Sequence, residues 1–134
     1  MKRTFLAALM TAMVLFLAGA ATAGDPPAPL STPELKKTIG AGKKITVVFF
    51  LNPNGGPCKE QNEVVQKLQK DRKNNFNLVY VSALEQVNQQ AFYDYGVRSL
   101  PTLVVVDSKG KIARFFPPGI QAYETLSAAL DGAK

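Results

Sequence analysis

Apolar residues along the chain alternate between two kinds of spacing. Ile45–Leu51, Phe76–Ser82, Thr102–Asp107 and Lys111–Phe116 are short runs rich in β-branched and aromatic residues, which reads as strands, the first a continuous apolar run of the kind buried on both faces. Between them the spacing becomes helical. Val64, Val65 and Leu68 mark a helix over Cys58–Lys73, Val87, Ala91 and Phe92 one over Gln86–Tyr95, and Leu126 and Leu130 one over Ala122–Leu130. Ahead of the first strand, Ser31-Thr32-Pro33-Glu34 reads as a helix start, with Ser31 as cap, Glu34 closing a capping box and Pro33 in the first turn. Gly40-Ala41-Gly42 stops it, and Asn74-Asn75, Gly96 and Asp107-Ser108-Lys109-Gly110 punctuate the rest.

The resulting order is helix, strand, helix, strand, helix, strand, strand, helix. Strand-helix-strand units call for parallel pairing through right-handed crossovers, whereas the short turn between the last two strands makes an antiparallel hairpin. An α/β domain follows, with a mixed four-stranded sheet and helices on both faces. The stretch before it is of another kind. Lys2 and Arg3 precede an uncharged, mostly apolar run from Phe5 to Ala23 that ends on Ala21-Thr22-Ala23, the pattern of a secretory signal peptide over 1–23; an uncleaved anchor is the alternative. Gly24–Leu30 is a Pro-rich leader into a domain over 31–134.

Composition narrows the chemistry. The 134 residues include no His, no Trp and one Cys, which excludes Ser-His-Asp and Cys-His catalysis, an internal disulfide and a zinc site. No metal and no cofactor is expected. The 16 basic residues against 10 acidic ones are a mild excess, further reduced once Lys2 and Arg3 leave with the leader. Lysine runs without interleaved aromatics read as solvated faces, so nucleic acid is not an expected partner, and after cleavage no stable membrane insertion is expected. Any reactive group concentrates on Cys58.

Val47-Val48-Phe49-Phe50 leading into Gly55-Gly56-Pro57-Cys58-Lys59, then Leu100-Pro101-Thr102 opening a strand, a hairpin at Lys109-Gly110 and Gly119 before a last helix resemble thioredoxin. Pro101 stands 43 residues after Cys58, close to the interval thioredoxins keep between their second active-site cysteine and a cis-proline. The resemblance implies a thioredoxin-like fold with four to five strands. It also implies an active-site loop over Asn54, Gly55, Gly56, Pro57 and Lys59, with Cys58 as the catalytic sulfur. Leu100, Pro101, Thr102 and Gly119 become the edge that binds substrate.

Three features of the family pattern are absent together. Gly55 occupies the position of the attacking cysteine, Asn54 that of the aromatic residue before it, and Phe49 that of the buried acid on the preceding strand. A dithiol cycle cannot run within this chain. What remains is single-thiol exchange, in which Cys58, at a helix start whose free N–H groups favour a thiolate and with two glycines leaving it uncovered, forms mixed disulfides with protein or small-molecule thiols and disulfides. The alternative is a redox-inactive module that holds extended peptide segments at the Pro101 edge. Packed and inert at the helix start is the other main reading of Cys58; an anion held by Gly55-Gly56 and an iron–sulfur carrier resembling monothiol glutaredoxins are weaker ones. Phe115 and Phe116 alternate on a strand, one for the core and one for the edge, and Tyr93 and Tyr95 read as helix-end packing. A monomer exported to a periplasm is expected.

Overall fold

All six residues of Thr46–Leu51 (β1) are buried, because this strand is central and has helices over both faces. The computed structural model describes residues 24–134, so the signal peptide expected over 1–23 lies outside the described residues. Asn77–Ser82 (β2) pairs parallel to β1, Thr102–Val106 (β3) pairs antiparallel on its other side, and Ile112–Phe115 (β4) pairs antiparallel to β3. The sheet order is β2-β1-β3-β4. Phe50 of β1 stands between Val81 and Thr102, so the end of β1, the end of β2 and the start of β3 share one end of the sheet.

Alternation along β1 divides the core in two. Val47, Phe49 and Leu51 face Gly56–Asp71 (α2) and Tyr123–Gly132 (α4), where Val65, Leu68, Leu126 and Leu130 meet them. Val48 and Phe50 face Pro33–Thr38 (α1) and Gln89–Asp94 (α3), through Leu35, Ala91 and Tyr95. Burial pushes the Tyr95 phenol well above its ordinary value, with a smaller contribution from Asp94, and its hydroxyl donates to the Pro29 carbonyl at 2.8 Å. Among the described residues no helix is long and apolar enough to cross a membrane.

The structure differs from the sequence reading at several ends. Thr32, not Ser31, caps α1: the Leu35 N–H donates to Thr32 Oγ1 at 3.1 Å, while Ser31 Oγ donates to Asp94 at 2.6 Å. With the cap one residue later, the third helical position is Leu35, and Glu34 completes no capping box. The third helix begins as a 3-10 turn over Gln86–Asn88, which rotates Val87 outward, to 61% exposure. Asn88 turns inward instead, donating to the Ser82 carbonyl at 3.1 Å. Tyr93 is 83% exposed and packs no helix end, unlike Tyr95. Residues 26–28 do more than lead into the domain, since they lie along β4. Ile112 N–H donates to the Pro26 carbonyl at 2.8 Å and Ala28 N–H to the Gly110 carbonyl at 2.9 Å, with Pro27 bridging Lys111.

Candidate functional site

The loop after β1 is shaped by Asn52. Its carbonyl accepts the Gly55 N–H at 2.9 Å and its side-chain oxygen accepts the Asn54 N–H at 3.0 Å, an Asx turn that reverses the chain toward α2. Gly55 is the N-cap, in an extended conformation and without a side chain to cap with. Pro57 sits in the first turn, where a backbone N–H would lack a helical partner anyway. The helix then registers through the Lys59 N–H, which donates to the Gly55 carbonyl at 3.0 Å.

Cys58 begins the buried stripe of α2, followed by Gln61, Val65 and Leu68. The expectation that two glycines leave its sulfur uncovered is not met: Cys58 is 3% exposed, because the Asn52–Gly55 backbone folds back over it. The Asn52 N–H donates to Sγ at 3.4 Å. A Cβ built on Gly55 would lie 3.7 Å from that sulfur and 3.3 Å from the Asn52 carbonyl oxygen, so the sulfur lies beneath the vacant side-chain position. Lys59 points outward and is exposed. Phe49 is fully buried and tilts against Tyr80 with ring centroids 5.6 Å apart, which makes the floor of the site apolar.

The second half of the site comes from the start of β3. The Leu100–Pro101 peptide bond is cis. Thr102 Oγ1 donates to the Ser99 carbonyl at 2.6 Å, and the Gly119 N–H donates to the Pro101 carbonyl at 2.9 Å. Gly119 adopts a φ of +120°, which a side chain would strain. Leu100 packs against the hydrophobic cluster that contains Cys58, yet among the described residues neither its N–H nor its C=O has a hydrogen-bond partner. The sheet register brings this edge to the same end as the Asn52–Cys58 loop.

Sequence reasoning missed Gln61, a fully buried amide one turn after Cys58. Its Nε2 donates to the Gln121 carbonyl at 3.2 Å, and its Oε1 accepts the Gln121 N–H. Gln61 thereby ties α2 to the segment that carries Gly119. Its signal was available as the one polar residue in the stripe Cys58, Gln61, Val65, Leu68. Phe116 is in the core at 1% exposure and Phe115 is 43% exposed, the division that alternation requires.

A family model described as a thioredoxin-like domain matches residues 32–134. The chain belongs to the thioredoxin-like family. This thioredoxin-like chain is similar in fold to the thioredoxin of Fasciola hepatica, at 24% identity and a TM-score of 0.62 over 78% of this chain and 97% of that one. It also resembles a thioredoxin-like protein from Clostridium perfringens, at 20% identity and a TM-score of 0.63 over 81% of this chain and 82% of that one. A thioredoxin-2 described as a component of malaria parasite protein secretion machinery aligns at 19% identity and a TM-score of 0.59, over 66% of this chain and 82% of that one. No curated protein matches the sequence. The thioredoxin-like fold is therefore shared.

Proposed function

We propose that this thioredoxin-like protein is exported and holds extended polypeptide segments at the Leu100–Pro101 edge, where Cys58 exchanges with a sulfur one thiol at a time. The observation that carries the reading is Leu100, whose N–H and C=O are both free beside the cis bond. An extended segment laid there gains a pair of backbone hydrogen bonds, as a strand added to a sheet edge does. Export rests on the basic and apolar residues at the start of the chain, and an oxidising periplasm is where a disulfide partner would persist. In the exchange, the Cys58 thiolate attacks one sulfur of the partner disulfide. The partner's S–S bond breaks as the new one forms, and its second sulfur leaves as a thiolate. An external thiol then releases the partner by the same exchange, because position 55 carries no sulfur to do so.

The low exposure of Cys58 favours a second reading, in which the same edge binds and the sulfur stays packed. The test joins intact-mass analysis of the folded protein, incubated with a small disulfide, to titration with extended peptides. Single-thiol exchange requires an adduct on Cys58 without denaturant, lost in Cys58→Ser while peptide binding persists. An adduct seen only after unfolding, with peptide binding retained, selects the redox-inactive module. Absence of both adduct and binding removes both readings.

A further inference from the structure

We propose that the end of the domain opposite Cys58 docks on an anionic phospholipid surface. Thr46 pairs with both Asn77 and Val106, so the loops before β1, before β2 and after β3 leave the sheet side by side. They carry Lys43 and Lys44, Lys73, and Lys109 and Lys111, all exposed. Lys43 and Lys44 line a shallow cavity of about 260 Å³ with Asn75, Ser108 and Lys134, so segments from all three loops and a further lysine after α4 border one depression.

The acids at this end are already engaged. Asp107 Oδ1 accepts the backbone N–H groups of Lys109 and Lys111 at 2.9 and 3.0 Å. Asp131 takes Arg72 at 3.0 Å, and Asp71 takes Lys67 at 2.8 Å. Among the described residues, none of the five loop lysines has a carboxylate at ion-pair distance. Glu60 and Glu63 lie in the first half of α2 and Glu85 follows β2, all toward the Cys58 end, which with Lys59 and Arg98 carries charges of both signs, in contrast to the unpaired lysines of the opposite end.

A flat anionic surface fits this end better than a nucleic acid does. The loops supply lysine point charges without the aromatic platforms that stack bases or the arginine forks that grip single phosphates. Gly42 and Ser108 precede the lysines of their loops and Gly110 separates Lys109 from Lys111, small residues that let the backbone approach a plane. Lys43 and Lys73 hold left-handed φ values of 56° and 53°, which lysine seldom adopts, so the fold itself sets how these loops project. Docked this way, the domain presents the Pro101 edge away from the bilayer.

The experiment is vesicle sedimentation of residues 24–134, which contain all four strands and both halves of the core, so that the apolar run at 1–23 does not itself enter the bilayer. The protein should sediment with vesicles containing phosphatidylglycerol, not with phosphatidylcholine alone, and high salt should release it as the screening length contracts. Each lysine near an anionic leaflet strengthens binding on the order of fivefold, so the combination Lys44→Gln, Lys109→Gln, Lys111→Gln should weaken it about a hundredfold. Arg98→Gln, on the Pro101 side, should change it little. Equal binding to phosphatidylcholine, undiminished binding by the triple variant, or retention of single-stranded DNA without vesicle binding would each overturn the proposal. Circular dichroism shows whether the variants are folded.

Discussion

Gly55→Cys returns a second sulfur to the site and tests how Cys58 is held. The built Cβ stands 3.7 Å from Cys58 Sγ, and a φ of −79° at position 55 suits any residue. In a disulfide each Cβ stands about 3 Å from the partner sulfur, so the bond forms if the side chains close by somewhat more than half an ångström while clearing the Asn52 carbonyl, 3.3 Å away. The loop closed from 55 to 58 is short. Chain entropy then assigns the bond about 2 kcal/mol, which raises the melting temperature of a domain this size by about 10 °C. Thiol titration and thermal unfolding of the oxidised and reduced variant measure both quantities. Two titratable thiols when reduced, none when oxidised, and a higher melting temperature for the oxidised form are expected. Thiols that stay free under oxidant, with no gain in stability, would refute the placement of Sγ beneath position 55. The same variant should gain insulin-reducing turnover that the parent lacks, at a rate limited by Phe49 in place of an acid.

Gln61→Leu strips the half-buried Gln121 N–H and C=O of their partner, and should cost about 1–3 kcal/mol in urea unfolding while loosening peptide binding at the Pro101 edge. Phe116→Ala empties a fully packed site and should cost about 3–5 kcal/mol by the same measurement. Tyr95 holds its proton in the folded chain after the unfolded chain has released it near pH 10. Its contribution is therefore complete below that pH and is lost as pH rises beyond it, so alkaline unfolding should flatten in Tyr95→Phe.

The strands were legible because burial of β1 on both faces leaves an unbroken apolar run, and because Gly and Asn-Asn breaks bound each element, but the direction of β3 was not: the strand-helix-strand order called for parallel pairing, and β3 runs antiparallel to β1. The helix starts were less so. Ser31 and Thr32 are chemically equivalent caps, and tertiary contact with Asp94 decides between them. Val87 satisfies a helical period, yet the 3-10 turn that expels it is set by the Asn88 contact with β2, which is non-local information. At the site, residue identities alone located Cys58, Gly55 and Pro101. They could not reveal that the Asn52 loop closes over the sulfur, since that depends on backbone path and not on the small size of the glycines. Gln61 stood out as the one polar residue of its stripe, but its partner, 60 residues away, did not.

The strip at residues 26–28 has a consequence for assembly. Pro26 and Ala28 direct their hydrogen-bonding groups at β4, so Pro27 between them and Pro29 just after present theirs to the outside. Neither proline owns an N–H, and the Pro29 carbonyl is occupied by Tyr95. A further strand approaching this flank finds no donor to pair with, so the sheet cannot be extended here by another molecule. The flank nearest the N-terminal segment is a terminus for β-sheet growth, which keeps that side of the protein from templating fibres.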